Sequence, residues 1–106
     1  MNPLLVLTNV PDSALAEKLA RSLVEARAAA CVNVLSPCRS IYRWDNAIES
    51  TEEIPLLIKT TAVQYPQVET LIRAQHPYAV PEIIAVPISH GLLAYLAWLA
   101  QETETT

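Results

Sequence analysis

The sequence contains no phenylalanine and a single glycine, and its seven Lys and Arg residues are outnumbered by eleven acidic residues. A glycine-rich loop that cradles phosphate groups needs several glycines, so this chain cannot form one. A nucleic-acid-binding surface needs clustered basic residues, and a formal net charge of -4 with scattered Lys and Arg does not provide it. We therefore expect neither a nucleic-acid partner nor an organic cofactor.

Long hydrophobic runs are absent as well. No segment approaches the roughly 18 apolar residues that cross a bilayer. The apolar run Leu4–Leu7 is too short for the core of a signal peptide and lacks preceding basic residues. These absences predict a cytoplasmic protein with no membrane association.

Cysteine is scarce, since Cys31 and Cys38 are the only two in the chain. Seven residues of extended chain would separate them by roughly 23 Å. A disulfide requires Cα atoms within about 7 Å of each other, so a bridge would need a sharp chain reversal between them. We expect two reduced thiols that pack as small apolar side chains.

Some apolar residues recur with the spacing of a strand, and others recur with the spacing of a helix. Continuous or alternating apolar runs predict strands, and apolar residues at helical spacing predict helices between them. The predicted strands cover 4–9, 31–35, 40–44, 47–60 and 83–88, and the predicted helices cover 13–29, 62–75 and 93–101.

Turn and cap residues delimit these elements. Asp12 or Ser13 can cap the first helix, and Thr61 can cap the second. Ser36-Pro37 predicts a break or bulge within the second strand. Asp45-Asn46 predicts a hairpin turn, because both residues tolerate positive φ.

The predicted order is strand, helix, strand, repeated once and followed by a short helix. Because each strand–helix–strand crossover is right-handed, both long helices lie on one face of a four-stranded antiparallel sheet. This is the ferredoxin-like βαββαβ sandwich of the α+β class. It has a long hairpin between its second and third strands, with the acidic run Glu49–Glu53 at an exposed end. We expect residues 1–106 to form a single domain whose polar tail, 102–106, is frayed.

The predicted strands are apolar on both faces, although the helices can cover only one. The strands of a sheet with one solvent-exposed face should alternate polar and apolar residues. This alternation is missing from Leu4–Leu7 and from Ile83–Val86. Another copy of the same chain is the simplest cover for the second face. We therefore predict an obligate oligomer whose unfolding temperature is high and depends on protein concentration.

The segment His76–Ile84 concentrates chemically useful groups. It brings the imidazole of His76, the phenol of Tyr78 and the carboxylate of Glu82 into seven residues. Two prolines stiffen the segment, because each fixes its own φ and restricts the residue before it. Polar groups on a stiff connector beside a sheet indicate a candidate site. A proline-rich approach to a core strand is also a common structural device.

Five segments of the chain form a recognisable pattern. They are Ala28–Val34, Ser40–Trp44, Leu57–Thr61, His76–Ile84 and Tyr95–Leu99. In this order and spacing they resemble the CutA family of divalent-cation (copper) tolerance proteins. The resemblance implies a ferredoxin-like fold, a compact homotrimer with inward-facing sheets, and an architecture like that of PII signalling proteins. It also implies divalent-metal binding, typically of Cu(II), and a part in metal tolerance.

The family's pocket pattern falls on nine residues of this sequence. They are Cys31, Tyr42, Trp44, Lys59, His76, Tyr78, Glu82, Tyr95 and Trp98. His76 and Glu82 carry donors that suit Cu(II), and a thiolate from Cys31 would favour Cu(I) or zinc. The chain departs from the family at Ala94, where many members have an acidic residue, and at Cys38, where a small residue is more usual.

Each candidate metal ligand also has a structural interpretation. His76 could bond carbonyl groups at a helix end or interact with the helix dipole. Glu82 could be the buried partner of Lys59 at a subunit cleft. Cys31 could be a small apolar residue of a core strand.

A second functional interpretation is a PII-like regulatory trimer. Lys59, Tyr78, Glu82 and Trp98 would then line clefts between subunits and bind a small anionic ligand or a protein partner. Tyr78, Tyr95 and Trp98 could equally pack at an interface. We do not expect an enzyme, because no residue has an evident base beside a nucleophile.

Overall fold

The computed structural model describes residues 2–104, which form five strands and three helices. In chain order the elements are β1 (Pro3–Val10), α1 (Ser13–Glu25), β2 (Cys31–Val34), β3 (Cys38–Trp44), β4 (Ala47–Thr61), α2 (Tyr65–Gln75), β5 (Ile84–Pro87) and α3 (Leu93–Glu102). Every element predicted from the sequence is present, and the differences lie at the ends of the elements. None of the helices within residues 2–104 is long and apolar enough to cross a bilayer.

The strands pair in the order β2-β4-β1-β5, and every pairing is antiparallel. β3 pairs only with the first part of β4, and together they form a hairpin arm, Cys38–Glu53, that extends beyond β2. The break predicted at Ser36-Pro37 therefore divides one expected strand into β2 and β3. This topology confirms the ferredoxin-like βαββαβ arrangement of the α+β class, with a hairpin arm and a short C-terminal helix.

The core lies between the sheet and the helices α1 and α2. Alternate residues of β1 and β4 point into it, because successive side chains of a strand face opposite sides of the sheet. The larger apolar side chains that are fully buried in this core are Val6, Val10, Leu56 and Ile58 of the strands and Leu19, Leu23, Val68 and Ile72 of α1 and α2. Each of these side chains contributes about 1.5–3 kcal/mol by leaving water.

The opposite side of the sheet is an open face that α1 and α2 do not cover. Leu5 and Leu7 of β1 lie on it, opposite Val86 and Ile84 of β5 in the strand register, and Leu57 of β4 continues the row. Val86 is 44% exposed and Ile84 is 53% exposed. The uncovered apolar surface expected from the two-faced strands is therefore present in the folded chain.

The first helix is shorter than predicted. α1 ends at Glu25 rather than near residue 29, because Arg27 adopts a φ of 57°. The Ala28 N–H then bonds the Leu23 carbonyl at 3.0 Å. A left-handed residue just past a helix closes its last turn in this way.

The second helix begins later than predicted, at Tyr65 rather than at residue 62. Thr61 does not cap it, because Thr61 is still part of β4 and pairs with Pro3. The Gln64 N–H bonds the Thr61 carbonyl at 3.1 Å and closes a turn before α2. Gln64 occupies the cap position without a side-chain cap bond.

The end of α3 is held in place rather than frayed. Arg27 Nη1 donates to the Glu102 carbonyl at 3.3 Å, and Gln64 Nε2 donates to the Thr103 carbonyl at 3.0 Å. Thr103 is buried. The expected fraying is therefore wrong for residues 102–103, and Thr105 and Thr106 lie outside the described residues.

The turn of the hairpin arm is at Asp45 and Asn46, as the sequence predicts. Their φ values are 51° and 63°, and positive φ at both central residues is what a tight hairpin turn requires. The turn sets the pairing of Trp44 with Ala47 and so the position of the arm's aromatic residues.

We expect the turn to tolerate Asn46→Gly and to resist Asn46→Val. Glycine adopts positive φ freely, whereas a β-branched residue there costs about 1–2 kcal/mol of folding free energy. Thermal unfolding of the two variants and the parent at one protein concentration measures this difference. Equal unfolding temperatures for the two variants would contradict the assigned turn.

Candidate functional site

A cavity of about 590 Å³ opens between the hairpin arm and the connector that joins α2 to β5. Its lining residues are Ser40, Ile41, Tyr42, Trp44, Glu53, Tyr78, Ala79, Val80 and Glu82. Four of the nine predicted pocket residues are among them. The ionisable groups that line the cavity are two carboxylates and two phenols, and no Lys, Arg or His side chain lines it.

His76 anchors the connector and lies outside the cavity lining. It is the C-cap residue of α2 and is buried. Its Nε2 lies 2.7 Å from the Asn9 carbonyl oxygen, and the Tyr78 N–H donates to its Nδ1 at 3.2 Å. A carbonyl only accepts and a backbone N–H only donates, so the imidazole carries its proton on Nε2. Both ring nitrogens are occupied by hydrogen bonds to the backbone, and neither has a lone pair free to bind a metal.

Asn9 connects His76 to Glu82. Its backbone carbonyl accepts the bond from His76, and its Nδ2 donates to Glu82 Oε1 at 3.3 Å. Glu82 is nevertheless exposed, so its carboxylate lies in the cavity wall within reach of solvent. These contacts bring two predicted ligands to one residue of β1 without joining them at a common point.

Glu53 is a site residue that sequence reasoning missed. The acidic run was expected at an exposed strand end, yet Glu53 is only 7% exposed and lines the cavity. Side chains alternate along a strand, so residue 53 shares the face of Pro55 and Leu57. The alternation was therefore the one feature of the sequence that placed Glu53 on the same face as these apolar residues.

Tyr78 lies between His76 and Glu53. Its ring centroid is 4.6 Å from that of His76, with the planes tilted by 54°. Burial raises the pKa of Tyr78 above its ordinary value of 10.0, and the Glu53 carboxylate raises that pKa further through its charge and a hydrogen bond. The phenol is therefore held as a hydroxyl that faces a carboxylate.

A second cluster lies at the other end of the open face. Lys59 Nζ is 3.9 Å from Cys31 Sγ and donates a hydrogen bond to Asn33 Oδ1. Burial raises the pKa of Tyr95, and its contact with Cys31 raises that pKa further. Trp98 packs against Tyr95, with ring centroids 5.4 Å apart.

The three predicted metal ligands do not meet within one chain. Cys31 pairs with residue 59 of β4, whereas His76 and Glu82 both bond to Asn9, which pairs with residue 55. Four strand residues span roughly 13 Å. In the part of the chain from residue 2 to residue 104, no three His, Cys, Asp or Glu side chains group closely enough to hold a metal ion.

The predicted Lys59–Glu82 pair is also not formed by the described residues of one chain. Lys59 bonds within the second cluster, and Glu82 bonds to Asn9. Trp98 lies apart from the cavity as well, in a groove beside Arg27 at the end of α1. Within one chain, the residues expected to line clefts between subunits therefore lie in two separate places.

The two departures from the family pattern occupy different surroundings. Ala94 lies exposed in the first turn of α3 and offers no side-chain ligand. Cys38 is half-buried, pairs with Glu53 across the hairpin arm, and has its Sγ 3.9 Å from the Ser40 hydroxyl oxygen. Both cysteines are free thiols, as predicted.

The fold and the cavity define a ferredoxin-like α+β protein with an acidic, aromatic-walled site beside a hairpin arm. A family model described as CutA1 divalent ion tolerance protein matches residues 4–102. The chain therefore belongs to the CutA family of divalent-cation tolerance proteins.

Relatives from distant organisms agree with this assignment. Divalent-cation tolerance protein CutA of Thermus thermophilus is 45% identical over 98 residues, covering 92% of this chain and 95% of the relative. Protein CutA of Homo sapiens is 41% identical over 95 residues, covering 90% of this chain and 53% of the human protein. The crystal structure of CutA from Xylella fastidiosa has a TM-score of 0.95 and 45% identity, covering 98% of this chain and 100% of that one.

The raised pKa values of Tyr65, Tyr78 and Tyr95 predict a loss of stability in alkaline solution. The folded state holds each phenol proton more tightly than the unfolded chain does. The resulting stabilisation is complete below the ordinary value of 10.0 and is lost as the pH rises through the folded pKa. Denaturant unfolding at neutral to alkaline pH should show a shallower loss of unfolding free energy in Tyr78→Phe. Identical pH slopes in the variant and the parent would contradict this account.

Proposed function

We propose that this protein acts in tolerance to divalent cations by binding the ion itself, as a homotrimer in the cytoplasm. The observation that supports metal binding is the cavity lining, where the carboxylates of Glu53 and Glu82 face one space without a basic neighbour. Carboxylate oxygens are ligands for many divalent cations. A cavity lined by charges of this sign attracts cations and repels anions.

Cu(II) is the ion that we propose first. For a given set of nitrogen and oxygen donors, Cu(II) binds more tightly than the other first-row divalent ions. The described residues do not bring an imidazole or a thiolate to the carboxylates, because His76 uses both nitrogens and Cys31 lies in the second cluster. We therefore assign Glu82, which is exposed, as the principal ligand within one chain. Water or a neighbouring subunit would supply the remaining donors.

The open face supports the homotrimer. Exposed Ile84 and Val86 continue the apolar row of Leu5 and Leu7, and burying such a surface contributes about 25 cal/mol for each Å². β5 is also an edge strand, because β1 is its one partner among the described strands. Unpaired sheet edges favour association with another chain. Copies that cover one another's open faces would protect both features.

The regulatory alternative, in which a small anionic ligand or a protein partner binds in clefts between subunits, has less support from the residues of one chain. Lys59 was the residue expected to hold the anion, and it lies in the second cluster rather than in the cavity. Two carboxylates would repel an anionic ligand there.

We expect Glu82→Gln to lower the affinity for Cu(II) by about tenfold or more, a change of about 1.4 kcal/mol or more, because the variant removes a charged oxygen ligand. Calorimetric titration of chelator-stripped protein with Cu(II) and Zn(II) measures the affinity and the number of ions bound. His76→Gln should leave the number of ions unchanged, because His76 already bonds Asn9 and Tyr78.

The matched control for the metal titration is Glu52→Gln, which removes the same charge from an exposed residue outside the cavity. Its Cu(II) affinity should equal that of the parent. Binding that disappears in His76→Gln and persists in Glu82→Gln would contradict the proposal. That result would mean that the imidazole leaves its two hydrogen bonds to ligate the metal.

We expect the parent to sediment as a trimer and Val86→Lys to sediment as smaller species. A lysine on the open face would place an unpaired charge in the buried interface. The unfolding temperature of the parent should rise with protein concentration, because unfolding is coupled to dissociation. Val63→Lys, at a position that is 86% exposed, is the matched control. A parent that sediments as a monomer with a concentration-independent unfolding temperature would contradict the homotrimer.

A further inference from the structure

Two charged residues of β4 lie on the open face without a partner of opposite charge in their own chain. Glu53 and Lys59 are six positions apart, so strand alternation turns both side chains to that face. Glu53 is only 7% exposed, and Lys59 is half-buried. Neither of the ion pairs found among residues 2–104 includes either of them. Roughly 20 Å of strand separates the two residues, so they cannot pair within one chain.

A subunit that covers the open face removes water from both charges. A carboxylate or an ammonium that is buried without a partner is costly, whereas an opposite charge in contact with it offsets much of that cost. The neighbour of Glu53 in the cavity is the Tyr78 hydroxyl, which is neutral and does not supply the opposite charge. We therefore expect the covering chain to bring a positive group to Glu53.

A covering copy can offer only the basic residues of its own open face. The chain has seven Lys and Arg residues, and Lys59 is the one on that face. Arg39 and Arg43 lie opposite Glu52 and Ile48 in the strand register, and even-numbered residues of β4 point to the helix side of the sheet. The other basic residues lie on helices or beside a helix end, and they are Lys18 and Arg21 on α1, Arg73 on α2, and Arg27 next to Glu102. Lys59 is therefore the cation that a second copy brings.

We propose that Lys59 of one subunit pairs with Glu53 of the next, and that a divalent cation competes with this lysine for the acidic cavity. An ammonium has three N–H donors. Among residues 2–104, Asn33 and Cys31 accept two of those of Lys59, which leaves the third for an acceptor on the neighbouring subunit. Each subunit then gives its basic end to one neighbour and its acidic end to the other. Such head-to-tail contacts can close into a ring.

The lysine and the metal ion would use the same carboxylate. Glu53 and Glu82 face one space in the cavity. An ammonium that reaches Glu53 occupies one of the oxygen donors of this space and repels a second cation from it. Coupling between two binding events is reciprocal. An ion that displaces Lys59 therefore weakens the contact between subunits by the same factor by which Lys59 weakens the binding of the ion.

The ion pair rests on the proposed homotrimer, and the competition rests on the proposed metal site as well. The two parts are therefore tested by separate measurements. The first measurement uses protein without metal, and the second adds Cu(II).

A double-mutant cycle tests the ion pair. Sedimentation measures the dissociation constant of the trimer for the chelator-stripped full chain, for Glu53→Gln, for Lys59→Met and for the double variant. Each single variant leaves one buried charge unpaired, so we expect it to raise the dissociation constant by about tenfold or more. The double variant leaves no unpaired charge, and its dissociation constant should not exceed that of either single variant. Because the two residues are too far apart to interact within one chain, this non-additivity arises between chains.

The matched control cycle combines Lys59→Met with Glu52→Gln. Glu52 is exposed and points to the other side of β4, so its two effects should simply add. If a single variant fails to fold, carbodiimide crosslinking of the parent gives a second measurement, because this reagent joins an amine to a carboxylate that touches it. In assemblies of labelled and unlabelled chains, Lys59 should be joined to Glu53 of a different chain. Lys59 joined only to another carboxylate would contradict the pair.

Calorimetric titration with Cu(II) tests the competition, at a protein concentration at which every chain sediments as a trimer. Lys59→Met should bind Cu(II) about tenfold or more tightly than the parent, because the competing ammonium is gone. Lys18→Met removes the same charge from an exposed residue of α1 and should bind Cu(II) like the parent. Saturating Cu(II) should raise the dissociation constant of the parent trimer by that same factor and leave that of Lys59→Met unchanged.

Two results would overturn the proposal. The first is a double variant in which the effects of Glu53→Gln and Lys59→Met simply add, which would mean that the two charges do not meet across the interface. The second is a Cu(II) affinity of Lys59→Met that equals that of Lys18→Met, which would mean that the lysine does not reach the metal site. If Cu(II) binds to none of these chains, the proposed metal function fails and the competition fails with it, while the cycle still decides whether the pair forms.

Discussion

Antiparallel pairing along the 15-residue strand β4 is the interaction on which the rest of the structure depends. Its second half pairs with β1 and β2 and closes the sandwich, and its first half pairs with β3 and forms the hairpin arm. The same strand carries Glu53 into the cavity and Lys59 into the second cluster. Six residues of strand span roughly 20 Å. This length keeps Lys59 away from the acidic cavity and gives the two ends of the open face opposite charges.

The order of elements and the fold class could be predicted from the sequence because they rest on local signals. Periodicity identified the strands and helices, and Asp45-Asn46 identified the turn. The errors lie where a distant contact overrides a local preference. Arg27 ends α1 early in a conformation that usually favours glycine, and its guanidinium bonds Glu102, 75 residues away. Thr61 remains in β4 because it pairs with Pro3, although a threonine there suits a helix cap.

The sequence predicted several residues of the candidate site, but neither all of them nor their grouping in space. The resemblance identified Tyr42, Trp44 and Tyr78, which do share one cavity. It could not identify Glu53, whose burial arises only when the hairpin arm and the connector close over it. It also could not show that the ring nitrogens of His76 are occupied, since the carbonyl that accepts from Nε2 lies 67 residues away. Chemical suitability as a ligand is visible in sequence, whereas the competing hydrogen bonds are a property of the folded chain.

The hairpin arm also bears on the order in which the chain folds. Its pairs join residues close in sequence, beginning with Trp44 opposite Ala47, whereas the sandwich closes only when Pro3 meets Thr61. Short loops cost less chain entropy to close than long ones, and hairpins form within about 1–10 μs. The arm can therefore form first and leave the pairing of β1 with β4 as the slow search. Because Trp44 lies on the arm and Trp98 lies on α3, the two tryptophans report on separate parts of the folding chain.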